Sequence, residues 1–243
     1  MTYCVAMRLH AGVVFASDTR TNAGIDDVAN AEKMRTYIRE GERVIVTMRA
    51  GNMSVTQNAL SWIDERGAED PHALTLWNAP NMGAAARLVG EALRAIDARD
   101  GEYLREAGVY EYGSFIVGGQ IAGEPPRLLQ VYNAGNCLET TQENIFFQIG
   151  EFKYGKPMLD RVVEPDMPLE AAVKCALLSL DDTMRSNLSV GPPLHVLAYE
   201  ADTLASAGPT RIVAADPYFQ QLRRDWSGGL RALFAQLPGP PQD

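Results

Sequence analysis

Met1-Thr2-Tyr3-Cys4-Val5-Ala6-Met7 and Gly12-Val13-Val14-Phe15-Ala16-Ser17-Asp18-Thr19-Arg20 are the stretches on which the fold turns. Both runs are short, apolar and rich in residues that suit a pleated surface, which predicts strands over Thr2 to Met7 and Val13 to Asp18. Leu9-His10-Ala11-Gly12 between them supplies a tight turn, with a glycine free to take a positive φ. A threonine stands directly behind the initiator methionine. Asp18 closes the second strand, and Lys33 opens the next apolar run.

Working outward, Thr19 to Asn30 reads as a loop. Lys33 to Ile38 and Arg43 to Met48 flank Glu40-Gly41-Glu42, a hairpin signature, so four strands in a row predict a meander. Ala50-Gly51-Asn52 leads into Ser54-Val55-Thr56-Gln57, a capping-box pattern, and Val55, Ala59, Trp62 and Ile63 follow at helical spacing. After a loop from Pro71 to Pro80, a second helix carries Leu88, Val89, Ala92, Leu93, Ile96 and Leu104 on one stripe. Strand chemistry returns at Ser114 to Val117, Arg127 to Tyr132 and Ile145 to Ile149. The loop Tyr154-Gly155-Lys156-Pro157 then precedes a helix from Leu169 to Arg185, and Leu194 to Tyr199 and Arg211 to Ala214 complete the strands.

Strands, helices, strands, helix, strands is the order of an α+β fold. Each sheet has two faces to bury, which predicts a four-layer αββα sandwich of two antiparallel β-sheets flanked by helices. A single domain is expected over 1–237, with a disordered proline-rich tail over 238–243.

Composition narrows the function classes. The chain has 243 residues, 46% of them apolar and 22% charged, with a formal charge of −9. That balance opposes nucleic-acid binding, which relies on Lys and Arg to displace counterions. Cys4, Cys137 and Cys175 are an odd number, widely spaced and outside any metal-ligand pattern, so they read as reduced packing residues in the cytoplasm. No run is long and apolar enough to span a membrane, and no secretory signal opens the chain. His10, His72 and His195 belong to no recognisable metal or triad motif, and there is no P-loop.

The chemistry concentrates at Thr2. Aminopeptidase removes an initiator methionine readily when a small residue follows, and its loss leaves a threonine with a free α-amine. The hydroxyl is a nucleophile, and the amine, with an unperturbed pKa of about 7.7–8.0, suits a general base at neutral pH. In an uncleaved chain the same nitrogen is an amide without basicity. Cys4 lies on the predicted strand and reads as packing.

Thr2, Gly12 to Arg20 in register with it, Lys33, Ala50-Gly51 before a helix and Tyr154-Gly155 before the later helix together resemble the proteasome β-subunit family of N-terminal nucleophile hydrolases. More narrowly, the chain is similar over nearly its full length to the bacterial ancestral β-subunit group, Anbu, in opening Met-Thr-Tyr-Cys-Val. The resemblance implies a threonine-type hydrolase of peptide or related amide bonds, working without a metal or organic cofactor. It implies Thr2 as nucleophile, Lys33 beside it, Asp18 holding the lysine, Gly51 offering its N–H to the oxyanion and Ser189 near the amine. Thr21, Arg35 and Arg49 are implied in substrate binding, with Arg49 at the base of the pocket that receives the residue before the scissile bond. A homo-oligomer, as a ring or open helical stack, is the implied assembly, and any ATPase partner would be separate.

Three departures from that pattern are visible. The step from Asp18 to Lys33 is one residue shorter than in most proteasome subunits, and Ser186 stands where catalytic subunits carry an aspartate that orders the threonine amine. The Ser-Gly-Ser turn of those subunits also has no clear equivalent in Gln148-Ile149-Gly150-Glu151. A weakly active or inactive scaffold subunit of a proteasome-like complex is the alternative reading.

Overall fold

The computed structural model describes residues 2–22, 28–110 and 113–240. In chain order the elements are β1 (Tyr3–Leu9), β2 (Gly12–Asp18), β3 (Arg20–Asn22), β4 (Val28–Asn30), β5 (Met34–Arg39), β6 (Arg43–Gly51), α1 (Met53–Glu69) and α2 (Met82–Glu106). Then follow β7 (Gly113–Ile121), β8 (Arg127–Val131), β9 (Cys137–Glu139), β10 (Phe146–Gly150), α3 (Lys156–Val162), α4 (Leu169–Ser186), β11 (Leu194–Glu200), β12 (Thr210–Ile212) and α5 (Pro217–Gln236).

Two five-stranded antiparallel sheets stack face to face, one ordered β10-β1-β2-β11-β12 and the other β5-β6-β7-β8-β9. The period of two along β1 distributes its side chains between two cores. Cys4 and Ala6 point into the layer between the sheets, where they meet Phe15, Val46, Met48 and Ile116. Tyr3, Val5 and Met7 point outward to α4 and α5, among Ala176, Leu177, Leu180 and Phe219. On the far side α1 and α2 cover the second sheet, with Ile63, Val89, Leu93 and Ile96 against Ile45 and Val117. The four-layer sandwich follows: each sheet buries both faces, so both central strands read as continuous apolar runs.

That burial also explains the principal correction. The expected four-strand meander is two hairpins in different sheets: β1 and β2 pair with β10 and β11, whereas β5 and β6 continue to β7. A strand buried on both faces carries no sign of which sheet it joins, and the chain crosses between the sheets in the segment after Asp18. Part of that segment forms the ribbon of β3 and β4, with Thr21 opposite Ala29; residues 23–27 of the expected loop lie outside the described residues.

The cap of α1 differs too. Asn52, not Ser54, is the N-cap, its side chain accepting from the Val55 N–H at 3.2 Å. Besides β3 and β4, three elements had no counterpart in the sequence reading: β9, α3 and α5. The last had a legible start, since Asp216 caps the Phe219 N–H and Pro217 occupies the first turn. Its body hid the helix, because Gly228 and Gly229 interrupt the pattern and its C-terminal half faces solvent. Asp181 of α4, fully buried, anchors α5 through Arg223 and also takes Arg185 at 2.9 Å.

The three cysteines are free, with Cys4 and Cys175 buried. No helix among the described residues is long and apolar enough to cross a membrane. Of the expected tail, 238–240 carry no regular structure and 241–243 lie outside the described residues.

Candidate active site

Thr2 precedes β1 and is half-buried, and Met1 lies outside the described residues. What locates it is the single peptide group joining it to Tyr3. The oxygen of that group accepts the Glu151 N–H at 2.7 Å, and its nitrogen donates to Asp18 Oδ1 at 3.0 Å. The first bond carries the β1–β10 ladder one step past the Tyr3–Gly150 pair. Gly150 makes room for it: at φ +84° it takes a left-handed conformation, and a Cβ there would lie 1.9 Å from the Thr2 oxygen.

The Tyr3 ring adds a second anchor on the opposite face of the strand. Its hydroxyl lies 2.6 Å from Ser179 Oγ on α4 and receives the side-chain amide of Gln148 on β10, while Ser179 Oγ donates to the Gly155 carbonyl at 3.1 Å. A chain of donors from Gln148 through Tyr3 and Ser179 to Gly155 leaves no hydroxyl unsatisfied. Burial pushes the Tyr3 phenol far above its usual value, so it stays a neutral tether.

Below Thr2 lies a buried ion pair. Lys33 Nζ approaches Asp18 Oδ1 at 2.6 Å, with the lysine 6% exposed and the aspartate fully buried. The other oxygen of Asp18 accepts the Gly191 N–H at 3.3 Å, and Lys33 also donates to the Arg20 carbonyl at 2.6 Å. Burial raises the Asp18 pKa above the ordinary carboxylate value, while the Lys33 ammonium and the amides of Tyr3 and Gly191 pull it back. Cys4, whose Sγ lies 3.6 Å from the Arg49 carbonyl, is driven strongly upward by burial, which keeps it a thiol and fits its reading as a packing residue.

Two cavities flank this centre. One, of about 780 Å³, is lined by Thr2, Gly51, Tyr132, Gln148 and Glu151 among others. Gly51 ends β6 at φ +99°, directly before the Asn52 cap of α1. The other, of about 460 Å³, is lined by Lys33, Arg35, Arg49, Met53 and Gln57. Arg35 is committed there, paired with Asp64 at 2.7 Å and lying 4.9 Å over the Tyr37 ring. Arg49 donates to the Glu32 carbonyl at 3.0 Å and has no carboxylate partner among the described residues. Burial lowers its pKa from the usual guanidinium value.

The other expected residues are more dispersed. Ser189 sits in the turn after α4, its N–H on Asn187 Oδ1 at 2.9 Å, two residues before the Gly191 amide that reaches Asp18; no hydrogen bond between described residues joins it to Thr2. Thr21 lines neither cavity, although it follows Arg20, whose carbonyl holds Lys33. Ser186 ends α4 and is exposed. His10 pairs with Asp166 on the surface at 2.7 Å, and His195 is buried in β11. No group of three or more His, Cys, Asp or Glu among the described residues could hold a metal ion.

Sequence reasoning passed over Tyr3, Gln148, Glu151, Ser179 and Gly191. Tyr3 had a usable signal in the alternation of β1. The contacts of Ser179 and Gly191, more than 170 residues from their partners, had none.

The ion pair yields a stability prediction. In Lys33→Met a buried carboxylate loses its cation, which costs about 3–5 kcal/mol. The double variant Asp18→Asn, Lys33→Met removes both charges and keeps an acceptor for the Tyr3 N–H, so urea unfolding should show it recovering a large part of that loss. Additive losses would mean that the pair contributes little as a pair.

No family model matches the chain, nor does any curated protein. Solved structures do. Anbu of Hyphomicrobium sp. strain MC1, as a Gly-1 mutant, is 47% identical with 100% of both chains covered and a TM-score of 0.91. Anbu of Yersinia bercovieri, the ancestral β-subunit, is 44% identical over 100% of both chains, also at 0.91. A helical assembly of the Anbu complex from Pseudomonas aeruginosa is 46% identical, covering 99% of each chain, at 0.92. Identity at this level over the whole length, on the same two-sheet framework, means that the chain belongs to the Anbu family of proteasome-like ancestral β-subunits.

Proposed function

We propose that this protein is an N-terminal threonine hydrolase that cleaves peptide or related amide bonds, with Thr2 as the nucleophile once Met1 is removed. The observation that carries this reading is the buried Asp18–Lys33 pair, of which Asp18 also holds the peptide nitrogen next to Thr2. In the proposed sequence the Thr2 amine takes the Oγ proton as Oγ bonds to the substrate carbonyl carbon. Negative charge then collects on the carbonyl oxygen, and the Gly51 N–H stabilises it. The ammonium returns the proton to the leaving nitrogen as the C–N bond breaks. Water hydrolyses the remaining ester by the reverse proton path. Two of the three ammonium protons of Lys33 are committed to Asp18 and Arg20; the third serves the oxygen of Thr2, favouring its ionisation.

Substrate reading follows charge. Arg49, a cation with no carboxylate partner among the described residues, lines a cavity beside Lys33, which suits an acidic or polar side chain before the scissile bond. Arg35 contributes less, being paired with Asp64. Thr21 is proposed to meet substrate beyond the two cavities, next to the Arg20 carbonyl that holds Lys33, and Ser189 is proposed to serve the amine from the turn that supplies Gly191.

Assembly is the second part of the proposal. Leu230, Leu233, Phe234 and Leu237 expose one apolar stripe on the end of α5, and Phe234 is 78% exposed. A second copy of this chain is the proposed occupant, in line with the helical assembly of the Pseudomonas aeruginosa relative.

Intact mass of purified protein should show loss of one methionine and no longer segment. An epoxyketone directed at N-terminal threonines should label wild type and leave Thr2→Ala unlabelled. Quantitative retention of Met1, or equal labelling of both, contradicts the mechanism, and assembled but unlabelled protein would favour the scaffold reading. Leu233→Glu with Phe234→Glu should lower the mass measured by light scattering while leaving circular dichroism intact. Unchanged mass would place the interface elsewhere.

A further inference from the structure

We propose that Glu151 is the positioning carboxylate for the terminal amine of Thr2, a role that rests on the threonine-nucleophile reading above. Its place in the fold is set by register: the Tyr3–Gly150 pair puts Thr2 opposite Glu151, and the Glu151 N–H to Thr2 oxygen bond of 2.7 Å locks that juxtaposition. Directly opposed residues of an antiparallel pair hold their Cβ atoms about 4.5–5.5 Å apart. Both residues line the same cavity. Among the described residues lining it, Glu151 alone carries a charged side chain, and its carboxylate makes no hydrogen bond or ion pair with a described residue.

The carboxylate nearest to it along β1 is otherwise engaged. Asp18 is spent on Lys33, Tyr3 and Gly191. The end of α4, where an aspartate would stand in typical proteasome subunits, has the exposed Ser186. A half-buried carboxylate without a cation therefore faces the one residue that gains an ammonium when Met1 leaves.

The chemical consequence lies in the proton account. When the Thr2 amine accepts the Oγ proton it becomes an ammonium, and a carboxylate across the strand pair stabilises that state until the proton passes to the leaving nitrogen. No bond forms to Glu151, and its own protonation does not change. Tyr110 and Tyr132 line the same cavity as Thr2, Asp18 with Lys33 lies one peptide group away through the Tyr3 N–H, and Arg49, Arg35 and Glu32 line the neighbouring cavity beside Lys33. Lys33 and Arg49 lower the affinity of the amine for a proton, and Glu151 opposes them.

The test uses the full chain without Met1, comparing wild type with Glu151→Gln and Glu151→Asp. The backbone bond to Thr2 survives all three. The first readout is independent of activity: the α-amine pKa of Thr2, measured by the pH dependence of its acylation and followed by mass spectrometry. Glu151→Gln should lower that pKa by about one unit, and Glu151→Asp should restore part of the shift. The second readout is the pH profile of epoxyketone labelling, whose rising limb should move down by the same amount while the plateau rate falls about tenfold. An amine pKa unchanged in Glu151→Gln overturns the proposal, even if wild type is labelled at Thr2. If the amine pKa shifts but Thr2 takes no label in any variant, the Glu151 contact stands and the nucleophile reading fails.

Discussion

The ion pair of Asp18 and Lys33 is almost wholly removed from water, and a buried charge of either sign is tolerable only with the other in place. That constraint reaches further than the pair itself. One oxygen of Asp18 also fixes the peptide nitrogen after Thr2, and the other takes the amide of Gly191, in the turn between α4 and β11. The start of the chain, the end of β2, the entry to β5 and the approach to β11 therefore meet at one carboxylate. Moving any of these segments would strand a buried charge or an amide.

A second set of restraints holds Thr2 from the opposite side. The Tyr3 hydroxyl ties β1 to α4 through Ser179 and to β10 through Gln148, and Gly150 admits the Thr2 carbonyl to the ladder. The nucleophile proposed here is thus held through the peptide group it shares with Tyr3, while its hydroxyl and nitrogen make no hydrogen bond with another described residue. A group that must change partners during a reaction is best located by groups that do not. The two cavities differ in charge: Lys33, Arg35 and Arg49 outnumber Glu32 in one, and Glu151 is the charged residue among those described in the other.

Much of this was legible in the residues. The alternation of β1, the glycine-bearing turn and the order of strands and helices sufficed for the layered fold, because burial on both faces of each sheet leaves that pattern in sequence. Thr2, Asp18 and Lys33 were legible as a set through the resemblance to the proteasome β-subunit family, whose pattern they match in register. The sheet to which β5 and β6 belong was not, since an apolar strand looks the same in either sheet. Nor was the support around Thr2: Ser179, Gln148 and Gly191 reach it over long separations, and neither local pattern nor spacing records such contacts. The helix α5 escaped notice because its buried contacts are few and its apolar stripe is turned outward.

The central claim is that Lys33 acts on the oxygen of Thr2 as well as on Asp18. The most direct measurement is the second-order rate of epoxyketone labelling at Thr2 in Lys33→Met against wild type, both without Met1, at a temperature where circular dichroism shows each folded. A fall of at least about 100-fold is expected. Labelling of Thr2 at the wild-type rate would contradict it and reduce the buried pair to a structural part.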